Sequence, residues 1–235
     1  MLIKTMKLRL DELVLYAAVD LVGFLFGILV LVLMTYFEGG EPDYTVFRMG
    51  TVMSCIFFCF VSVMMGMFGM GGYFNWHVGF GKTRKSFFLC DIATEFCWNF
   101  INLMIIWGLS FVEDGIIKLF FSSYREESKI LWGMFGWMIP FFALFMTVIR
   151  EITGTLKMRF GNKVFWIIWG IWMFICMVPV KIGENKSGKA AEMIEGITAW
   201  VKGVSITGWV LMGTALVILL LAVSWLLMRK QMVKS

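Results

Sequence analysis

The chain has little of what soluble enzymes use for chemistry. It holds one histidine, three prolines and five cysteines, and only 16% of its 235 residues are charged. The lone His77 has no second histidine with which to share a metal ion or a proton. No Gly-x-Ser-x-Gly or His-Glu-x-x-His pattern occurs. We therefore predict no catalytic residue and no metal site, and we do not expect this chain to be an enzyme by itself.

The cysteines form no metal-binding or redox motif. No two of them have the two-residue gap that is typical of zinc or thioredoxin-like sites, and all five fall within long apolar stretches. We interpret them as small packing residues: Cys55, Cys59, Cys90, Cys97 and Cys176.

One short motif, Gly81-Lys82-Thr83, is similar to the end of a phosphate-binding loop. Such a loop also needs a glycine five residues before Gly81, where Trp76 stands, and it follows a β-strand. Here a long apolar stretch precedes the motif instead. We expect no nucleotide to bind at this motif and no cofactor in this chain.

Apolar residues are what the chain has in abundance. They make up 60% of it, and its mean hydropathy is +0.84, whereas an ordinary soluble domain is about 45–50% apolar. Lipid can cover that surface where a single core cannot. Six windows approach or exceed the roughly 20 residues of a membrane-spanning helix. They predict an all-α polytopic protein with one transmembrane domain, 1–235, because these runs are too long for barrel strands. The predicted spans are 13–37, 49–74, 88–112, 130–149, 164–180 and 209–228.

The remaining segments are predicted from their polarity. The run 13–37 is too long for a signal peptide and has no cleavage site before Glu38, so we expect a retained helix. Residues 1–12 alternate apolar and basic side chains, which predicts an amphipathic helix at the membrane interface; a frayed basic terminus is the alternative. Loops are expected over 113–129 and 181–208. The second should contain a helical insertion, since apolar residues recur at helical spacing after Ser187.

Basic residues predict the orientation, because cytoplasmic loops retain positive charge. Placing both termini in the cytoplasm puts thirteen of the 21 basic residues inside, including those of the loops 75–87 and 150–163. We therefore expect a multi-pass protein of the cell membrane with both termini cytoplasmic. Anionic lipid explains the net charge of +5 without a nucleic-acid partner.

Two features of the first span concern its packing. Gly23 and Gly27 have the small-xxx-small spacing that lets helices approach closely. Asp20 lies on the same side of that span. A carboxylate inside the membrane usually faces protein or water, but this one is also near enough to the inner edge to reach the surface.

The third span has the clearest polar pattern. Asp91, Glu95, Asn99 and Asn102 follow one helical face, and such a stripe should face neighbouring helices or a wet cavity. It could line a transport path or relay coupling. Equally, it could be a structural network with Arg84 or Lys85 near its base.

Taken together, these features resemble the membrane subunit of type-2 ABC exporters from Gram-positive bacteria. The similarity lies in the interfacial helix, the six spans, the insertion between spans five and six, and the loop between spans two and three. That loop contains a Gly-x-x-Arg-Lys-x-Phe-Phe segment, beginning at Gly81.

The resemblance implies partners and roles. Two membrane subunits, most simply identical, would pair, and separate ATPase subunits would supply ATP, Mg and hydrolysis. The loop between spans two and three would couple to the ATPase through Phe80, Gly81, Lys82, Thr83, Arg84, Lys85 and Ser86. Relatives often carry a Glu-rich coupling loop, whereas this one is basic. Those closest in size export amphipathic peptides, so a hydrophobic or amphipathic substrate, such as a peptide, is expected.

Two other classes of function are open to such a sequence. A non-transporting sensor or immunity protein would bind a peptide without an ATPase. A membrane-embedded enzyme would need Asp91, Glu95 or His77 as acid–base groups.

Overall fold

A computed structural model describes residues 5–7, 9–37, 48–81, 83–120, 129–171, 173 and 205–229. These residues lie in helices and short connecting turns, with no strand among them. The long helices are α1 (Leu10–Phe37), α2 (Met49–Gly79), α3 (Arg84–Phe120), α4 (Lys129–Phe160) and α5 (Ile206–Arg229). Each is long and apolar enough to cross a membrane, α4 through Met138–Phe160. The all-helical class is confirmed, and these helices are consistent with a multi-pass membrane protein.

Some predicted elements fall partly or wholly outside the described residues. Of the fifth predicted span, residues 164–171 and 173 are helical, and 172 and 174–180 lie outside the described residues. The helical insertion after Ser187 lies outside as well. Of the amphipathic segment 1–12, residues 5–7 are helical, but 10–12 belong to α1 and not to a separate interfacial helix.

The helices also continue past the apolar windows that predicted them. α3 includes 113–120, and α4 continues to Phe160, so the loops expected over 113–129 and 150–163 were wrong over those residues. Apolar content marks where lipid lies, whereas helical backbone bonds persist wherever neighbouring helices or water surround the side chains.

Close backbone contact joins α1 to α2 at Gly23 and Gly27. A Cβ atom added at Gly23 would lie 3.1 Å from the Ser54 Cα. One added at Gly27 would lie 2.6 Å from the Gly50 Cα and would overlap the Met49 carbonyl. The second position therefore accepts no side chain without moving α2.

A second close crossing joins α2 to α4. A Cβ at Gly66 would lie 2.7 Å from the Arg150 carbonyl oxygen, and one at Gly154 would lie 2.7 Å from the Gly66 carbonyl oxygen. The two glycines thus bring the α4 backbone against α2 at Arg150.

The bundle has apolar and polar buried layers and an apolar outer surface. Between α2, α3 and α4 lies an apolar layer of Phe58, Leu103, Ile106, Ile139, Ala143 and Met146. The outward faces of α1 and α5 carry exposed aliphatic side chains, such as Leu25 and Leu211. This distribution, with polar groups inside and apolar groups outside, is stable when lipid is the solvent.

The bundle has two ends, which we name for what lies there. The turn end holds residues 80, 81 and 83, between α2 and α3; the opposite end is where α1 finishes and α2 begins. At the opposite end, Glu113 of α3 accepts hydrogen bonds from the Gly50 and Thr51 backbone N–H groups, at 2.7 and 2.9 Å. Arg48 pairs with Asp114 at 2.5 Å. Glu113 therefore caps the N-terminus of α2 from a neighbouring helix.

Candidate functional site

Near the turn end, Arg9 lies at the centre of a buried set of ion pairs. Its Nε donates to Glu12 Oε2 at 2.7 Å, and its Nη1 to Asp91 Oδ1 at 2.5 Å. Its Nη2 also contacts Glu95 Oε1. The guanidinium lies over the Tyr73 ring, 4.5 Å from the centroid, in a cation–π contact. Only 2% of Arg9 is exposed.

Arg150 of α4 completes the set. Its Nη1 contacts Glu95 Oε1, and its Nη2 lies 3.5 Å from Glu12 Oε1. Glu12 and Glu95 are thus each shared between two guanidiniums. We call Arg9, Glu12, Asp91, Glu95 and Arg150 the ionic cluster; it joins the segment before α1 to α1, α3 and α4.

Local structure brings these groups together. Asp91 and Glu95 are four residues apart on α3 and so share one face. The Glu12 backbone N–H donates to the Arg9 carbonyl, a turn that directs both side chains inward. Arg150 reaches the cluster because Gly66 allows its backbone to lie against α2.

The electrostatics of Arg9 follow from its partners. Burial alone would lower the pKa of the guanidinium, but the Asp91 and Glu12 carboxylates outweigh burial and raise that pKa above its usual value. A raised arginine pKa means that Arg9 stays charged at every pH at which the protein folds. The guanidinium therefore keeps its positive charge, and the ion pairs can be lost by titration only when the carboxylates take up protons.

Glu151 lies beside the ionic cluster without an ion pair among the described residues. It is 1% exposed, and neither of its carboxylate oxygens accepts a hydrogen bond from an N–H or O–H donor among the described residues. It interacts electrostatically with Asp91. Two acidic groups therefore face each other in the buried layer.

The polar stripe continues from the ionic cluster toward the opposite end. Asn99 Nδ2 donates to Thr147 Oγ1 of α4 at 2.9 Å, and Asn102 Nδ2 donates to the Trp98 carbonyl at 2.8 Å. Both amides are fully buried, and the carbonyl oxygen of each lacks a hydrogen-bond partner. All four stripe residues thus lie inside the bundle, where neighbouring helices cover them.

The stripe's ionic partners differ from those expected. Its carboxylates pair with Arg9 and Arg150, so a network based on Arg84 or Lys85 was wrong. Arg84 instead donates to the Arg229 carbonyl at 2.7 Å. Asp20 is fully buried, so it does not reach the surface, and neither side-chain oxygen has a hydrogen-bond partner.

Of the predicted coupling segment, Phe80 and Gly81 form a turn, and Arg84 to Ser86 begin α3. Gly81 has a φ of +73°, a conformation that glycine adopts without strain. The Ser86 N–H donates to Thr83 Oγ1 at 3.2 Å, which caps α3. Phe80 is 68% exposed, with its ring against Trp76, and Lys85 is exposed in the first turn of α3. Lys82 lies outside the described residues.

A small cavity lies between this turn and the ionic cluster. Its volume is about 10 Å³, room for one water molecule, and its polar lining includes Arg9, Tyr73, His77 and Asp91. Phe87 forms part of its wall and packs against Phe74 and His77. The cavity therefore connects the base of α3 with the ion-paired layer.

Comparison with known proteins does not assign this arrangement. No protein-family model matches the chain. No curated protein and no solved structure matches it either. The function must therefore be inferred from the ionic cluster and the turn.

Sequence reasoning missed half of the site. Arg9, Glu12, Arg150 and Glu151 were assigned to a terminal helix or a loop, because they stand outside the apolar windows. The available signal was that Asp91 and Glu95 needed cations within the bundle, and basic residues flank the first and fourth spans. In the part of the chain that the structure describes, no three His, Cys, Asp or Glu side chains converge as metal ligands. The cluster joins α1, α3 and α4 through buried ion pairs.

Proposed function

We propose that this chain is the membrane-spanning subunit of an ATP-driven exporter in the cell membrane, with both termini in the cytoplasm. It pairs with a second membrane subunit, an identical copy, and separate ATPase subunits dock at the turn end. The exported substrate is hydrophobic or amphipathic, such as a peptide. The observation that supports this proposal best is the turn at Phe80 and Gly81, which leads into α3 and so to the carboxylates of the ionic cluster.

The turn has the features of a docking element. Phe80 projects an exposed aromatic ring, and Lys85 adds positive charge beside it. Aromatic side chains at the centre of a contact, with charge at its rim, are typical of protein interfaces. The Gly81 conformation and the Thr83 cap hold the turn in one shape, so a partner would meet a preorganised surface.

Movement of the turn would reach the ionic cluster along α3. Asp91 lies seven residues after Arg84 on the same helix, about 10 Å along its axis. A helix transmits displacement over that distance with little bending. Because Asp91 and Glu95 are tied to α1 and α4 through Arg9 and Arg150, a shift of α3 would move or break these pairs.

The mechanism that we infer is alternating access. ATP binding brings the two ATPases together, the turns move with them, and the cavity between the paired membrane subunits opens outward. Asp91, Glu95, Asn99 and Asn102 brace the moving helices from inside the bundle, where neighbouring helices cover them.

The rival functions have weaker support. Asp91 and Glu95 are held by guanidiniums and are almost fully buried, which is a poor arrangement for acid–base chemistry on a substrate. No described feature favours a sensor that works without an ATPase, so that reading is an outcome of the test below.

The test is ATPase activity after co-purification from native membrane. We expect Lys85→Glu to lower substrate-stimulated hydrolysis or to release the ATPase. The matched control is Lys118→Glu, an exposed lysine near the other end of the same helix. The helix dipole favours glutamate at position 85, near the N-terminus of α3, and disfavours it at position 118, near the C-terminus. A defect seen only with Lys85→Glu therefore cannot arise from a weakened helix.

The double variant Arg84→Glu with Lys85→Glu gives the decisive outcome. If it keeps both assembly and stimulated hydrolysis unchanged, the coupling role is wrong. If no ATPase accompanies the wild-type chain and the chain alone binds peptide, the sensor function replaces the exporter.

A further inference from the structure

Charge in the buried layer near the turn end is not balanced. The ionic cluster holds three carboxylates, Glu12, Asp91 and Glu95, against the two guanidiniums of Arg9 and Arg150. An ionised Glu151 beside them would bring the excess to two negative charges. Buried charge without a partner is strongly disfavoured in surroundings of low dielectric constant.

Glu151 is where that imbalance is least compensated. Each carboxylate of the ionic cluster contacts at least one guanidinium, whereas Glu151 has no ion pair in the described part of the chain. Its neighbour is Asp91, another acid. Two ionised carboxylates carry only acceptors, so they can hydrogen-bond to each other only if one of them holds a proton.

We infer that Glu151 and Asp91 form a proton-binding site. Glu151 carries the proton, and its O–H group donates a hydrogen bond to the Asp91 carboxylate. The proton removes one of the two excess negative charges and turns a repulsive contact into a hydrogen bond. This site is independent of the proposed export function, since it follows from burial and charge alone.

The surroundings favour a proton over a metal cation. No three acidic, histidine or cysteine side chains converge as ligands among the described residues, and the guanidiniums already occupy the space between the carboxylates. The water-sized cavity touches Asp91 and is also lined by His77 and Tyr73, so it has room for one water molecule beside the pair.

The charged and titratable groups around the pair come from every packed element. The segment before α1 gives Arg9, α1 gives Glu12 and Tyr16, α2 gives Tyr73 and His77, α3 gives Glu95, and α4 gives Arg150. Arg229, the only charged residue in the described part of α5, lies at the turn end beside Arg84. Of these groups, only the two arginines of the cluster oppose proton binding, and both are already paired with carboxylates.

Infrared difference spectroscopy of the full chain in lipid nanodiscs tests this site, with pH stepped from acid to alkaline. The background is Asp20→Asn, because Asp20 is a second buried carboxyl without a hydrogen-bond partner and gives a signal of its own. In that background we expect a protonated-carboxyl carbonyl stretch that persists at neutral pH and disappears at alkaline pH. Glu151→Gln, which mimics the protonated side chain, should abolish it.

Glu113→Gln is the matched control. Glu113 is equally buried, but its oxygens accept three hydrogen bonds at the start of α2, far from Glu151, so its replacement should leave the band unchanged. A missing band at neutral pH, or one that survives Glu151→Gln, overturns the inference. Stabilisation by sodium ions with no protonated carboxyl does so too.

Isotope labelling keeps the test decisive if Glu151→Gln fails to fold. In the Asp20→Asn protein, carbon-13 glutamate should shift the band and carbon-13 aspartate should not. A band that shifts only with labelled aspartate would show that an aspartate carries the proton, and it would contradict the role of Glu151.

Discussion

Replacing Arg9 by methionine removes the central cation of the ionic cluster and leaves its apolar volume nearly intact. Arg150 continues to contact Glu12 and Glu95, so Asp91 is the carboxylate that loses the one ion pair it makes among the described residues. Breaking a buried ion pair by removing one partner costs about 3–5 kcal/mol, because the other charge stays buried. We expect Arg9→Met to lower the free energy of unfolding by about that amount.

The assay is equilibrium unfolding in mixed detergent micelles, followed by the fluorescence of the tryptophans. Arg84→Met is the control, since Arg84 is partly exposed and donates to one carbonyl; we expect it to lie within about 1 kcal/mol of wild type. Adding Asp91→Asn to Arg9→Met should recover part of the loss, with a coupling energy of about 0.5–3 kcal/mol.

The result that refutes this reasoning is an Arg9→Met protein as stable as the Arg84→Met control. Strict additivity of Arg9→Met and Asp91→Asn would also contradict it. Either outcome would mean that water or lipid headgroups already neutralise the carboxylates and that the cluster does not hold the helices together.

Three further predictions use the same unfolding assay. Gly27→Ala should lower the free energy of unfolding by about 1–3 kcal/mol, because the new Cβ would meet the α2 backbone. The control is Gly72→Ala, whose Cβ meets nothing within 4 Å, and it should leave that free energy unchanged or raise it by up to about 1 kcal/mol. Equal effects of the two variants would contradict the close crossing. Glu113→Ala should lose about 1–3 kcal/mol through the uncapped start of α2, and an unchanged midpoint would disprove the cap. Asp20→Asn should stay within about 1 kcal/mol of wild type, since its side-chain oxygens accept no hydrogen bond among the described residues; a larger loss would reveal a partner.

Much of the fold follows from the sequence because lipid is a simple solvent. A long apolar window must be helical there, and a polar stripe such as Asp91 to Asn102 must face inward. The contacts of Gly23 and Gly27 lie where small-xxx-small spacing predicts a close crossing. These inferences use local periodicity alone.

The ion-pair partners of the stripe could not be predicted from local periodicity. Which cation meets Asp91 depends on how α1 and α4 pack, and Arg9 and Arg150 are distant from it in sequence. Glu113 illustrates the same difficulty: by polarity it belongs to a loop, but it lies on α3 and caps α2. Hydropathy locates the lipid and carries no information about contacts between polar groups.

The docking of an ATPase at the turn end is the central functional claim, and photo-crosslinking from Phe80 tests it most directly. A photoreactive amino acid at Phe80, which is exposed at the turn, is compared with one at Phe37, which is similarly exposed at the opposite end. We predict that in native membranes Phe80 crosslinks to a protein with an ATP-binding domain, identified by mass spectrometry, and that Phe37 does not. Crosslinks from Phe80 to lipid alone, or an ATPase captured equally from Phe37, would contradict the account.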